Sequence, residues 1–280
     1  MHHRGGPQAG AAGRDDEGLS AAIVTTALEC GADLAGIAAI ADLRRSPSHA
    51  ISERLPDYTG TGTVDAGEGR RGLVTWPEGA RSAVVLAVAH PEEKPELDWW
   101  VGGEAAGDPP GNLLLKAAAG KLAARLRGEH GLECWTIAYH VERGGIFLKD
   151  AAVLAGLGSI GRNNLLLTRE HGPRHRLRAV LTSAELPSTG PSGYDPCVRC
   201  PEPCRAACPQ AAFPGSVFTP QEYGQTELPG RDGAFDRRIC GLQMQADEAA
   251  SEFVTREGEA RQVMLTRYCR ACELACVAGA

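Results

Sequence analysis

The chain has 280 residues, with 29 Lys and Arg against 35 Asp and Glu, a formal net charge of −6. That balance argues against a protein that holds nucleic acid through bulk charge, although a local basic face stays open. A chain of this length buries roughly 75% of its unfolded surface without cross-links. Its longest clean apolar run, residues 83 to 89 (AVVLAVA), is far short of the roughly 20 residues needed to cross a bilayer. No basic segment followed by an apolar one opens the chain, so a soluble protein in a reducing cytoplasm is expected.

Residues 1 to 18 are Gly-rich and lack an apolar period, which predicts a disordered tail. From Leu19, the apolar positions Ile23, Val24 and Leu28 fit one helix face closed by Gly31. A short Leu34 to Ile40 stretch follows, then a buried strand at 83 to 89. Leu113 to Arg127 reads as an Ala-rich helix closed by Gly128, and Trp135 to Tyr139 as a short strand. Helical propensity returns at 148 to 155, and strands are expected at Leu165 to Thr168 and Leu177 to Thr182. The mixture predicts an α+β domain over residues 19 to 190. The Pro, Gly and Ser of residues 187 to 196 read as an exposed crossing, and a second domain is expected over 191 to 280.

Ten cysteines in a reducing compartment read as metal ligands or redox groups, and eight of the ten lie between Cys197 and Cys276. The first run is Cys197-x2-Cys200-x3-Cys204-x3-Cys208-Pro209, the last is Cys269-x2-Cys272-x3-Cys276, and Cys240 stands between them. Closely spaced thiolates on a short loop are what a [4Fe–4S] cubane requires, and in two-cluster ferredoxins the Cys before Pro serves the other cluster. That crossing rule groups Cys197, Cys200, Cys204 and Cys276 in one set. Cys208, Cys240, Cys269 and Cys272 form the other. Structural zinc is the alternative, but one tetrahedral site accounts for only four of these thiols. Cys30 and Cys134 read as inert buried thiols.

Residues 156 to 161 (GLGSIG) satisfy the dinucleotide fingerprint G-x-G-x-x-G, but a helical segment precedes them and a strand follows, the reverse of the order a Rossmann site needs. The glycines instead read as a tight turn or as a close backbone approach to a large flat ligand. The run Lys149-Asp150-Ala151-Ala152-Val153-Leu154-Ala155-Gly156-Leu157-Gly158-Ser159-Ile160-Gly161-Arg162-Asn163-Asn164-Leu165-Leu166, followed by the double cysteine set, resembles epoxyqueuosine reductase. That family is cobalamin-dependent and related to the reductive dehalogenases. Gly31 to Ile37, Gly172-Pro173-Arg174 with Val180-Leu181-Thr182, and Asp236 to Cys240 extend the resemblance over about residues 20 to 280.

The resemblance implies a nitroreductase-like corrinoid-binding domain followed by a ferredoxin-like domain with two [4Fe–4S] clusters. The implied cofactor-binding residues are Gly156, Leu157, Gly158, Ser159, Gly161, Arg162 and Asn163. A low-potential donor of flavodoxin or ferredoxin type is the implied electron partner. Counting back from the glycine loop puts Glu142 at the family's proton-donor position, where the family has Asp, and Tyr139 is the alternative, as in the dehalogenases. His140 is left unassigned. Full-length epoxyqueuosine reductases carry a helical-repeat tail that contributes to tRNA binding, whereas this chain ends four residues after Cys276; a small-molecule or nucleoside substrate is expected, with tRNA as the alternative.

The arginines between Arg162 and Arg178 read as a solvated sheet face, or as a phosphate or RNA contact. Trp99 and Trp100 read as anchors of a loop on the core, or as a substrate lid. Two further functions compete with the reductase: an activator that reduces the corrinoid of a partner protein, and a ferredoxin-like carrier whose front domain binds flavin.

Overall fold

The structure, a computed structural model, describes residues 12–54, 74–102, 108–141, 144–255 and 262–279. The front part contains helix α1 (Ala12–Glu29), strand β1 (Leu34–Ala39), the single turns α2 (Ile40–Leu43) and α3 (Pro47–Ala50), and strands β2 (Ser82–Ala89) and β3 (Trp100–Gly102). Helix α4 (Pro110–His130), β4 (Cys134–Thr136), α5 (Leu148–Leu154), β5 (Ser159–Ile160), β6 (Leu166–Leu167) and β7 (His175–Thr182) follow. Beyond them come α6 (Pro203–Ala206), α7 (Pro220–Tyr223), α8 (Arg237–Ala249), β8 (Glu252–Thr255), β9 (Gln262–Thr266) and α9 (Ala271–Leu274).

The main sheet is antiparallel in the order β1-β2-β7-β4. Side chains alternate across a strand, so Val84, Leu86 and Val88 of β2 join α1 and α4 in one core layer. Ala83, Val85 and Ala87 face the opposite way and pack in the layer that contains Ala151 and Ala152 of α5. With both faces covered, β2 is apolar at nearly every position, which is why its sequence reads as a continuous run and not as an alternation.

Three sequence expectations are corrected. Helix α1 begins at Ala12, inside the stretch expected to be a disordered tail; once the Ile23 and Ala27 stripe is buried, each residue added backward gains a helical hydrogen bond with no new nucleation cost. Helix α4 runs through Gly128 and ends at Gly131, whose φ of 64° supplies the left-handed cap. The strand expected over Trp135 to Tyr139 is confined to β4, whose pairing with β7 starts at Cys134 opposite Thr182 and stops at Thr136 opposite Val180, although β7 itself reaches back to His175.

The crossing at 187 to 196 is tied down. Ser188 Oγ accepts the Ala39 N–H at 3.0 Å, and Thr189 Oγ1 accepts the Ile37 N–H at 2.9 Å while donating to Ala155 O at 2.7 Å. Strand β3, from the front part, pairs with β9, Trp100 opposite Thr266. The two parts of the chain therefore share a sheet, β3-β9-β8. Trp100 also stacks edge-on with Tyr268 at 5.7 Å, and Arg267 covers Trp99 at 4.9 Å, so the tryptophans anchor this seam.

Buried histidines give the fold an acid-sensitive element. Burial pushes His49 and His175 down to about 3, against about 6.5 in an unfolded chain. A lowered histidine contributes its stability above the unfolded value and loses it as pH falls from there toward the folded value. Unfolding midpoints should drop steadily below about pH 6.5, by up to about 2 kcal/mol per histidine at pH 5, and His49→Gln should flatten the curve. Denaturant titrations across pH 4.5 to 7.5 check this.

Candidate functional site

The first thiol set lies where α6 and α9 pack together. Cys197, Cys200, Cys204 and Cys276 line one cavity with Arg162, Asn163 and Leu167. Cys197 and Cys204 are buried. Positive φ at Arg199 and Glu202, 64° and 58°, turns the 197–204 loop inward. The Arg162 N–H points at Cys197 Sγ, 3.4 Å away. Burial, then repulsion from Cys276, Cys197 and Cys200, pushes the Cys204 thiol up to about 11.

In the second set, Cys272 on α9 is pushed up to about 12 by burial and by repulsion from Cys240, Cys269 and Cys208. The Ala212 and Ala271 N–H groups point at Cys208 Sγ (3.3 Å) and Cys269 Sγ (3.5 Å). Burial opposes ionisation of Cys240, Cys269 and Cys272, so these crowded thiols need a cationic partner to stand as thiolates. Among the described residues, no group of three or more His, Cys, Asp or Glu is arranged to hold a single metal ion. Four thiols to a set is the donor number that a [4Fe–4S] group uses. Cys30 and Cys134 are buried in the α1/α4 core layer, away from both sets.

A second cavity, of about 680 Å³, opens between the front part and the 226–231 turn. Val153 and Leu154 of α5, Ser159 and Ile160 of β5, Ser188 and Arg231 line it. The Ser159 hydroxyl is buried without a partner, an orphan that a ligand with polar edge groups would satisfy. Arg231 is held across this wall, donating to Ile160 O at 3.1 Å and to both Asp195 oxygens at 2.9 and 2.6 Å.

Asp150 also faces this cavity, although it is spent on structure: it accepts from Ser46 Oγ (2.9 Å), Ser48 N (2.7 Å) and Ser48 Oγ (3.0 Å). His49 Nε2 accepts the Phe147 N–H at 3.1 Å, which places the imidazole proton on Nδ1, 2.8 Å from Ser46 Oγ. With both ring nitrogens engaged, Ser46, His49 and Asp150 clamp α3 to α5 and do not form a nucleophilic triad. Lys149 beside them is half-buried, donates to Asn164 O at 2.6 Å and is lowered to about 8 by burial.

The glycines of the 156–161 loop are fixed by protein. A Cβ on Gly158 would lie 2.0 Å from Leu167 O, one on Gly161 2.6 Å from the Leu167 side chain, and one on Gly156 3.1 Å from Thr189 O. They permit a tight β5–β6 hairpin against the Thr189 strap, the tight-turn reading of the two that the sequence offered. Leu157 packs on the α5 core layer. Ser159 faces the larger cavity, whereas Arg162 and Asn163 face the thiol cavity. One hairpin thus forms a wall of both.

Tyr139 lines neither cavity. It stacks edge-on with His140 at 5.0 Å, beneath the Arg178 guanidinium at 5.8 Å. Glu142 lies outside the described residues. Of the arginine stripe expected to be a solvated face, Arg169 is exposed, whereas Arg162 pairs with Glu202 at 2.8 Å, Arg176 with Asp98, and buried Arg178 with Asn112 at 3.0 Å. Sequence reasoning left Asp150 and Lys149 without a role although both sit in the quoted glycine-loop run; charged residues in a predicted helix ahead of a cofactor loop were the available signal.

No protein-family model matches the chain. Segments are similar to the tetrachloroethene reductive dehalogenases of Desulfitobacterium hafniense, 39% identical over 85 residues, and of Dehalobacter restrictus, 46% identical over 98 residues. Those segments cover 28% and 32% of this chain and only 15% and 18% of the relatives. Among solved structures, epoxyqueuosine reductase from Streptococcus thermophilus superposes over 92% of this chain and 65% of its own, with a TM-score of 0.58 and 20% identity. An epoxyqueuosine reductase with an epoxyqueuosine-modified tRNA-Tyr stem loop gives a TM-score of 0.60 at 16% identity, over 94% of this chain and 66% of its own. A catabolic reductive dehalogenase with 3-bromo-4-hydroxybenzoic acid gives 0.57 at 19% identity, over 92% and 31%. The mixed α/β fold is that shared by these reductases, in accord with the resemblance in the sequence.

Proposed function

We propose that this chain is an iron–sulfur, cobalamin-dependent reductase of the epoxyqueuosine reductase and reductive dehalogenase kind. The observation that carries the reading is the β5–β6 hairpin, which has the Cys197/Cys200/Cys204/Cys276 cavity on one side and the 680 Å³ cavity on the other. Groups held in the two cavities would both lie against this hairpin. The two four-thiol sets would hold [4Fe–4S] clusters, and Ser159, Ser188 and the apolar Val153 and Leu154 would hold a corrinoid edge. When bound, the clusters supply single electrons and cobalamin supplies a low-valent cobalt that is a strong reductant and nucleophile.

The protein's own part is to hold these groups close, to shield them and to deliver a proton. Glu142 or Tyr139 is the proton donor in this reading. Glu142→Gln should leave iron content and cobalamin binding unchanged while slowing turnover by ~100-fold or more, the scale of a lost general acid. Unchanged single-turnover rates in that variant would remove Glu142 from the site. The substrate class is a small molecule or a modified nucleoside. Reduced protein should be offered an epoxyqueuosine-bearing stem loop and a halogenated phenol in parallel; consumption of either supports the reductase, and consumption of neither with corrinoid transfer of electrons to a partner supports the activator instead.

A further inference from the structure

We propose that Asp195 and Arg231 are positioning residues that set the reduction potential of the group held by Cys197, Cys200, Cys204 and Cys276, acting through their charges in opposite directions. The inference rests on the reading that this set holds a [4Fe–4S] cluster. Asp195 lies two positions before Cys197, and its Oδ1 accepts the Cys197 N–H at 3.0 Å. Arg231 closes on the same carboxylate with both terminal nitrogens, 2.9 Å from Oδ1 and 2.6 Å from Oδ2, while its Nη1 also donates to Ile160 O at 3.1 Å. Two positions beyond Ile160, the Arg162 N–H points back at Cys197 Sγ, 3.4 Å away. Cys197 is thus enclosed in a ring of contacts that runs from Ile160 through Arg231, Asp195 and Cys197 to Arg162 and returns along the hairpin.

The backbone is bent to make this ring. Arg231 has a φ of 81°, in the left-handed region that a non-glycine residue occupies only where its surroundings hold it there. The two side chains are 25% and 34% exposed, and partly buried charges are screened less by salt than exposed ones. The neighbouring cations are matched in the same manner, Arg162 by Glu202 at 2.8 Å and Arg205 by Asp232 at 2.5 Å. Reduction adds one electron to a group already anionic through its thiolates, taken from a low-potential one-electron donor that is oxidised in the same step. Net charge and hydrogen bonds at the sulfurs set the potential of that couple. Asp195 opposes the added charge, and Arg231 offsets Asp195, so the intact pair is neutral and either partner alone is not. Arg231 also lines the 680 Å³ cavity, which puts this charge balance at a wall that an occupant of the cavity meets.

The test is an EPR-monitored titration with dithionite of anaerobically reconstituted wild type, Arg231→Gln, Asp195→Asn and Cys208→Ala, with iron and sulfide counted on the same samples. Cys208→Ala identifies the midpoint of the first group, the one that this variant keeps. Arg231→Gln should lower that midpoint by about 59 mV, a tenfold change in the reduced-to-oxidised ratio. Asp195→Asn should raise it by a similar amount, and the other midpoint should stay in place in both. Opposite signs separate a charge effect from a loosened loop, which shifts both variants the same way. Shifts of one sign, no shift, or a shift of the other midpoint overturn the proposal. If one variant loses iron, the sign of the shift in the other decides; loss of iron in both shows that the pair holds the loop and not the potential, and overturns it too. A wild type that takes up iron for fewer than two clusters overturns the underlying reading, and the proposal with it.

Discussion

Cys208→Ala is expected to abolish turnover while leaving the first thiol set able to take up its metal. Cys208 leaves the first cysteine run and approaches Cys272 and Cys240 of the later elements, so its loss strips one ligand from the second set and leaves Cys197, Cys200, Cys204 and Cys276 intact around their cavity. Iron should fall by about half, to roughly four per chain, and reduction by an external donor should stall. Cys204→Ala should remove the other half. Iron counts and EPR of the two variants check the grouping directly: if both lose the same signal, the thiols are not partitioned in this way.

Arg270→Ala is expected to cost about 3–5 kcal/mol, the scale for uncovering one partner of a buried ion pair. Arg270 sits between Cys269 and Cys272 and pairs with Glu273, while donating to His90 O at 3.0 Å and lying 3.9 Å from Asp98. Asp98 in turn binds Arg176 of β7. All four charged side chains are at most 14% exposed, so the loop carrying two thiols is fastened to the main sheet through a buried ionic seam. Deleting Arg270 leaves Glu273 without its cation, and removal of Glu273 at the same time should recover much of the loss. A double-mutant cycle by chemical denaturation, with the single and double variants, measures it; additive costs would show that the pair is not coupled.

The sequence made some of this legible and hid the rest for identifiable reasons. Cysteine spacing is local and chemically specific, and the four thiols that line the first cavity are the four that the ferredoxin crossing rule groups. Strand β2 and helix α4 were readable because long apolar and Ala-rich runs carry their own signal. By contrast, β3 is three residues long and pairs with a strand more than 150 positions away, a relation no window of sequence contains. The role of Gly158 was hidden likewise, because the atom that excludes a side chain there is the Leu167 carbonyl. The arginines misled: a run of alternating Arg in a predicted strand resembles a solvated face until Asp98, Asn112 and Glu202 arrive from elsewhere.

The most direct test of the central claim is cobalamin binding to the anaerobically reconstituted protein, with iron and sulfide quantified and the Co(II) EPR spectrum recorded on the same sample. The account predicts about eight iron and one base-off cobalamin per chain, with binding lost when Ser159, at the wall shared by both cavities, is replaced by Trp. A full iron complement with no cobalamin bound would contradict it, and would leave an iron–sulfur carrier whose front domain serves another ligand.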